Sequence, residues 1–203
     1  TNSTEAVINA QLTQGITWEG GSIVIPAGKT VTLDLNGCRI DAQNKGTAIQ
    51  VFGTLTINNS GTSQSGMPDT GPAGGAIVNG TATSESPAGG IYIAPGGQVT
   101  MNGGWIALCK TSLSKKNNSS IEYYGSGGVY ISENASFTMN SGFIQDCTTE
   151  VTKPSNHITA GGVVNNGTFT IGTFVNITYG YQSTIPQVPS VYNCENGIFT
   201  SNS

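Results

Sequence analysis

Short apolar triplets recur along the chain, and each has one outward residue between two aliphatic or aromatic ones. Residues 89–109 read GGIYIAPGGQVTMNGGWIALC and residues 127–147 read GGVYISENASFTMNSGFIQDC, so the apolar positions and the final cysteine recur thirty-eight residues later. This alternation is the period of a β-strand with one buried face. No sustained helical period follows residue 12. The pattern therefore predicts a repeated unit of short strands.

Three strands are predicted in each unit. First triplets begin at residues 23, 49, 91, 129, 163 and 191, and second triplets occupy 33–35, 55–57, 99–101, 137–139 and 169–171. A third segment follows a small turn, as at residues 105–108. Parallel pairing of each strand with its copy in the next unit, about 4.8 Å away, buries the same columns throughout. We predict one all-β domain, a solenoid of about six rungs over residues 16–199.

Two kinds of polar column follow from this alignment. Asn36, Asn58, Asn102 and Asn140 come after the second triplets, where side-chain amides can hydrogen-bond along the stack. Asp34 heads a second column, which continues with threonines at 56, 100, 138 and 170. Regular threonine arrays are similar to those of ice-binding solenoids. However, threonine is common on exposed strands, and Asp34 and Gln98 interrupt the array in this alignment.

These motifs resemble the right-handed parallel β-helix, or pectin-lyase-like, superfamily, whose second turn often carries an asparagine ladder. The sequence motifs GGAI at 74–77 and FTMN at 137–140 are similar to the repeats of polymorphic outer-membrane adhesins. The phrase AGKTVTLDLNG at 27–37 is similar to bacterial surface proteins. The resemblance covers about residues 20–199 and implies a right-handed β-helix. It implies less about function, because one fold supports many functions.

The first fifteen residues are expected to cap the solenoid. Ser3 or Thr4 can N-cap a short helix in which Ala6, Val7 and Ala10 share one face. We treat residues 1–203 as a single domain and expect it to be a fragment of a longer surface protein.

A candidate binding face is expected on the first strands of the units. Long connections at 110–126, 148–160 and 179–189 precede these strands, and in the resembled family a groove lies over this sheet. Tyrosine rings at this face can pack on sugars, although exposed aromatics also simply suit β-strands. The predicted carbohydrate-binding residues are Gln50, Tyr92, Tyr130 and Tyr192. A second aromatic column, at residues 105, 143 and 174, is interpreted as corner packing.

The composition excludes several function classes. Only 9% of the residues are charged and the formal net charge is −4, which gives no basic surface for nucleic acid. No apolar run approaches the roughly 18 residues of a membrane-spanning helix, so we expect no membrane insertion by this segment. A surface rich in threonine, serine, asparagine and glycine is typical of extracellular proteins, either secreted or anchored to the cell surface.

Catalytic and metal-binding patterns are missing from the sequence. The register gives no pair of facing carboxylates of the kind that glycoside hydrolases use. Arg39 is the only arginine, although the resembled lyases need a basic residue and calcium bound by acidic residues. The only histidine, His157, lies in a loop, so a histidine metal site is not expected. We predict no cofactor and no metal.

Cys109 and Cys147 occupy the same position in adjacent units. At about 4.8 Å their Cα atoms can carry a disulfide, but a stack of two buried thiols is equally compatible with parallel strands. Cys38 and Cys194 lie about five rungs apart and should not pair with each other.

The sequence as a whole favours a non-catalytic adhesion or glycan-binding module of a bacterial surface protein. Its expected partner is a host or dietary glycan or a surface glycoprotein, and the module is expected to be a monomer. Two alternatives stay open. One is a polysaccharide-active enzyme, a lyase or glycoside hydrolase, with a site built from loops; the other is a structural stalk without a ligand.

Overall fold

The fold is known from a computed structural model that describes residues 6–17, 21–61, 74–117, 120–149, 158–172, 190–192 and 198–200. These residues form β-strands and no helix, and all strand pairs except β12 with β13 are parallel. None of them belongs to a helix that could cross a lipid bilayer. The strands are β1 Val7–Gln11, β2 Ile16–Thr17, β3 Ile23–Ile25, β4 Thr30–Asp34, β5 Arg39–Asp41, β6 Ile49–Val51, β7 Thr54–Asn58, β8 Ala76–Val78, β9 Ile91–Ile93, β10 Gln98–Ala107, β11 Lys110–Thr111, β12 Ser114–Asn117, β13 Ser120–Ser126, β14 Val129–Ile131, β15 Ser136–Gln145, β16 Thr148–Thr149, β17 Ile158–Ala160, β18 Val163–Asn165, β19 Thr168–Ile171, β20 Ser190–Tyr192 and β21 Ile198–Thr200.

The first sheet has six parallel strands, in the order β3, β6, β9, β14, β18 and β21. Five of them are predicted first triplets, and each pairs with its copy in the next repeat. The predicted stacking of like on like is therefore confirmed for this sheet.

The second sheet consists of two rows of parallel strands that are joined by β10 and β15. One row is β1, β4, β7, β10, β15 and β19, and the other is β2, β5, β8, β10, β15 and β20. The ten-residue strands β10 and β15 carry the second and third segments of their repeats without a break. The sheet bends there, because the β10–β15 pair shifts register after Met101 and Gly104 has a positive φ of 89°.

The core lies between the sheets and is built from the inward residues of every repeat. The large side chains with a relative exposure below 2% include Leu35, Ile40, Ile49, Leu55, Ile57, Ile77, Ile91, Ile93, Met101, Ile106, Ile131 and Phe137. Burial of a side chain of this size contributes about 1.5–3 kcal/mol relative to exposure. Like residues also stack across repeats, since the rings of Phe137 and Phe169 are 5.3 Å apart and nearly parallel.

Pairs of glycines precede three strands of the first sheet because the backbones approach too closely there for a side chain. A Cβ at Gly127 would lie 2.6 Å from the carbonyl oxygen of Thr148, 2.7 Å from that of Gly161 and 2.9 Å from that of Cys109. These distances are well inside ordinary van der Waals contact. The glycine pairs therefore set the spacing of the repeats at this corner.

The predicted N-terminal helix is wrong. Residues 7–11 form β1, which pairs in parallel with β4 from Val7 against Thr30 to Gln11 against Asp34. Ile8 and Ala10 line an apolar cavity between the sheets together with Leu33 and other core residues. The segment predicted to be a helix therefore has the alternating inward and outward side chains of a strand. Its pairing with β4 makes it the second strand of an earlier repeat.

The alignment of the first full repeat also needs a correction, by two residues. Val31 and Leu33, not Leu33 and Leu35, lie opposite Leu55 and Ile57. Asp34 consequently pairs with Asn58 and heads the amide column, whereas Asn36 lies in the following turn with a φ of 48°. The threonine column loses its acidic interruption, because its first member opposite Thr56 is Thr32.

The sixth repeat is likewise shifted. Val191 pairs with Ile144, and Tyr192 pairs with Gln145, both of the second sheet. The strand that continues the first sheet is β21, in which Phe199 pairs with Val164. Tyr192 therefore does not extend the face that carries Tyr92 and Tyr130, and its predicted place in that binding site is wrong.

The long connection at 110–126 adds strands of its own beside the first sheet. β12 and β13 form an antiparallel hairpin, and β13 continues in parallel with β17 from Tyr124 opposite Ile158 to Ser126 opposite Ala160. β11 and β16 pair in parallel at the same corner. The prediction of an elaborated corner is confirmed here, whereas the connection at 179–189 lies outside the described residues.

Candidate functional site

Tyr92 and Tyr130 lie side by side on the outer face of the first sheet, as predicted. Tyr92 is the middle residue of β9 and pairs with Tyr130 of β14. The flanking Ile91, Ile93 and Ile131 are fully buried, so alternation directs both tyrosines outward, where they are half-buried. Their ring centroids are 6.1 Å apart with an interplanar angle of 47°.

Gln50 occupies the same column in the preceding repeat, opposite Tyr92. Its side chain is half-buried, and its Nε2 donates a 2.9 Å hydrogen bond to Oγ of Ser22. The predicted position of Gln50 beside the tyrosine pair is therefore confirmed. This hydrogen bond orients the amide of Gln50 at the surface.

Phe52 joins the two tyrosines and was missed by sequence reasoning. It follows β6 in a two-residue turn, its side chain is 41% exposed, and its ring lies edge-on to Tyr92 with centroids 6.4 Å apart. A large apolar residue in a tight turn, where Ala94 and Ser132 stand in later repeats, was the signal that could have identified it. The ring thereby adds apolar area to the outer face beside Tyr92.

Asn166 occupies the other end of this row. Because Val51, Ile93, Ile131 and Asn165 are in register, the next residue in each repeat is Phe52, Ala94, Ser132 and Asn166. Asn166 Nδ2 donates a 2.8 Å hydrogen bond to the Tyr130 hydroxyl. We call Phe52, Tyr92, Tyr130 and Asn166 the aromatic row; it crosses four repeats in the stacking direction.

The surroundings of Tyr130 disfavour ionisation of its hydroxyl. Burial raises the pKa of the Tyr130 hydroxyl, and the proximity of Tyr92 and Glu133 raises it further, while the hydrogen bond from Asn166 acts in the opposite direction. Glu133 is exposed in the turn that follows β14. The Tyr130 hydroxyl is therefore neutral at physiological pH and can donate a hydrogen bond to a ligand.

The outward column is not uniform beyond this row. Val24, at its start, is 42% exposed, whereas Val164, opposite Tyr130 in the next repeat, is fully buried. The accessible part of the face is thus the stretch from Val24 to Tyr130, with Asn166 at its end.

Trp105 and Phe143 form a second aromatic pair, on the second sheet. Their rings are stacked with centroids 4.4 Å apart and an interplanar angle of 27°. Trp105 packs against a small buried cluster of Ala76, Val78 and Ala107. This packing agrees with the interpretation of the pair as corner packing; residue 174 lies outside the described residues.

The amide column is a continuous hydrogen-bonded ladder. Asn140 donates to Asn102 and Asn102 donates to Asn58, each over 2.9 Å, and Asp34 lies next in the column. Desolvation raises the pKa of Asp34, but hydrogen bonds from Ser60, Gln11 and Asn36 outweigh it and bring the pKa to about 2. Asp34 is thus an ionised structural residue, which accounts for an acidic side chain in a column of amides.

Cys109 and Cys147 are both fully buried, and no disulfide joins them. The adjacent residues Lys110 and Thr148 are in register, which confirms that the cysteines lie one repeat apart. The structure therefore has the stacked-thiol arrangement. Cys38 is also a buried thiol, and Cys194 lies outside the described residues.

Among the described residues, no group of three or more histidine, cysteine, aspartate or glutamate side chains is placed to hold a metal ion. His157 lies outside these residues. The described side chains that meet at the aromatic row are instead aromatic and amide groups, which are suited to contacting a ligand through ring faces and hydrogen bonds.

Comparison of the chain with protein-family models, with curated proteins and with solved structures finds no match. Any assignment of function therefore depends on the geometry of the described residues.

Proposed function

We propose that the chain forms a right-handed parallel β-helix of about six rungs and acts as a non-catalytic, extracellular glycan-binding or adhesion module of a bacterial surface protein. The parallel register of both sheets supports the solenoid, since every described first-sheet strand stacks on its copy in the next repeat. The low content of charged residues, 9%, supports an extracellular location.

The observation that carries the proposal is the aromatic row. Three rings follow one another, Phe52 from the turn after β6 and the two tyrosines from the outer sheet face, with centroid separations of 6.4 and 6.1 Å. Aromatic rings provide apolar area with little conformational entropy to lose, and the polar edges of Gln50, Asn166 and the Tyr130 hydroxyl can exchange hydrogen bonds with sugar hydroxyls.

The affinity follows from the openness of this face. A ligand that lies on a row of rings is covered on one side only, so less of its surface leaves water than in an enclosing pocket. We expect dissociation constants between about 1 mM and 1 μM for a short oligosaccharide, which is about −4 to −8 kcal/mol. Several copies on a cell surface would raise the avidity.

Absence of catalysis is part of the proposal. Glu133 is the carboxylate whose charge raises the pKa of Tyr130. Asp34 is held by hydrogen bonds in the amide column of the other sheet. Glycoside hydrolysis needs two carboxyl groups across one scissile bond, whereas Asp34 lies on the second sheet and Glu133 lies in the turn that follows a strand of the first.

A glycan array followed by titration calorimetry tests this function. The wild-type chain should retain at least one glycan class without product release, and Tyr92→Ala combined with Tyr130→Ala should weaken binding by about 10- to 100-fold. Val7→Ala is the matched control, because Val7 is 57% exposed at an outward position of the second sheet, so the change removes exposed apolar area away from the row.

Three results would count against the proposal. Silence on the array would favour a structural stalk, and release of shortened glycan would favour an enzyme. A large loss of thermal stability in the double variant, with binding lost in proportion, would show that the tyrosines serve packing.

A further inference from the structure

The direction of the aromatic row restricts how a glycan can lie on it. The four residues come from four successive repeats, so the row runs across the strands in the stacking direction. Val24 lies exposed beyond the Phe52 end, in the repeat before Gln50. A chain end is recognised by a pocket that closes around it, whereas an open row accepts internal units of a linear chain.

The turns beside the row give it one defined edge. The turns that follow β9 and β14 are each four residues long, and they expose Pro95, Glu133 and Asn134. The turns that carry Phe52 and Asn166, below and above them, are only two residues long. Glu133 therefore lies beside the middle of the row, in the turn at the end of the strand that carries Tyr130.

We propose that the aromatic row binds internal segments of an uncharged linear glycan and discriminates against polymers of uronic acids. This inference rests on the proposed glycan-binding function and names its ligand class.

The charge at the row gives the physical reason. A uronate carboxylate placed on Tyr130 would lie near the carboxylate of Glu133, which is exposed in the turn that follows β14, and like charges repel each other. Lys29 lies in the turn one repeat below Phe52, beyond the end of the row. A neutral sugar faces no such repulsion, and its hydroxyls can accept a hydrogen bond from the Tyr130 hydroxyl.

Affinity electrophoresis of the full chain in gels that contain defined polymers tests this inference. Mixed-linkage β-glucan, galactomannan and arabinan serve as neutral probes, and polygalacturonate and alginate serve as anionic probes. We expect retardation by at least one neutral polymer, unaffected by salt, and none by either anionic polymer.

Glu133→Gln is the informative variant. It should change the affinity for the neutral polymer by less than about twofold relative to the wild type. It should raise the affinity for anionic polymers by about two- to fivefold at low salt, because one repulsive charge is removed. Glu85→Gln is the matched control: it removes the same charge from an exposed turn between β8 and β9 and should change neither affinity.

The outcomes separate the inference from the function on which it rests. Stronger retardation by an anionic polymer, lost in salt or on Lys29→Gln, would overturn the inference and leave glycan binding intact. Retardation by none of the polymers would refute the proposed function itself. Calorimetry with oligosaccharides of two and six units checks the chain orientation: equal affinities would contradict binding along the row, which predicts that the hexasaccharide binds more tightly.

Discussion

Replacement of Gly127 by alanine tests the close approach of repeats beside the first sheet. The new Cβ would lie 2.6–2.9 Å from three carbonyl oxygens. Those oxygens belong to three different backbone segments, so no side-chain rotation can relieve the contact. The backbone has to move apart, which strains the 3.0 Å hydrogen bond from Gly127 N to Ala160 O and the 2.7 Å bond from Gly128 N to Gly161 O.

The magnitude follows from these contacts. Overpacking of a tight site destabilises by about 1–3 kcal/mol, and three simultaneous backbone contacts place Gly127→Ala at about 2–3 kcal/mol. The matched control is Gly28→Ala, where no atom lies within 4 Å of the new Cβ and only the positive φ of 74° is unfavourable. We expect about 1 kcal/mol there, since the left-handed strain is partly offset by reduced freedom of the unfolded chain.

Thermal unfolding followed by circular dichroism measures both variants. At about 2–4 °C per kcal/mol for a chain of this size, Gly127→Ala should lower Tm by about 4–12 °C and Gly28→Ala by about 2–4 °C. If Gly127→Ala is no less stable than Gly28→Ala, the repeats are not packed as closely as the structure places them, and the assigned register at this corner is refuted.

Three further predictions concern the site, the amide ladder and the cysteines. Phe52→Ala should weaken glycan binding by about two- to tenfold in calorimetry with little change in Tm, because the ring lies in a surface turn and is 41% exposed; an unaltered affinity would remove Phe52 from the row. The pKa of Asp34, lowered to about 2 from 3.8, implies stability that is fully present above about pH 4 and lost as the pH falls towards 2. The effect is at most about 1 kcal/mol for so exposed a carboxylate, and Asp34→Asn should flatten this part of the acid-unfolding curve; an identical pH dependence would contradict the hydrogen-bonded cluster. Cys109 and Cys147 should resist alkylation in the native protein and should both react after denaturation without reductant, as read by mass spectrometry, whereas persistent protection would indicate a bridge.

The strands and the tyrosine pair were predictable from the sequence because they depend on a local period. Alternation of apolar and outward residues identifies the strands at 91–93 and 129–131 and directs Tyr92 and Tyr130 outward. Their equal distance from the same glycine and cysteine positions fixes their relative register. Such information is contained within about twenty residues of sequence.

The errors arose where the pattern permits two registers. In TVTLDL at 30–35, Val31, Leu33 and Leu35 all alternate, so a slip of two residues keeps every apolar side chain inward. Only the pairing with β7 decides that Asp34 lies opposite Asn58. The same ambiguity moved Tyr192 to the wrong sheet, because a short apolar triplet fits the first or the third column equally well.

The strand at residues 6–11 and the role of Phe52 could not be predicted from the sequence, because both depend on contacts with distant residues. A six-residue stretch is compatible with either helix or strand, and the choice depends on pairing with β4, more than twenty residues away. Phe52 lies in a turn, where no period applies, and its role becomes visible only when its ring meets Tyr92 of the next repeat.

The most direct test of glycan binding at the aromatic row is a titration of isotope-labelled protein with a neutral hexasaccharide, followed by NMR of the side-chain amides and indoles. We expect the side-chain amide signals of Asn166 and Gln50 to shift on binding, while the indole signal of Trp105 on the second sheet stays in place. Shifts of the Trp105 indole with the two amide signals unchanged would contradict binding at the row, because the ligand would then lie on the other sheet.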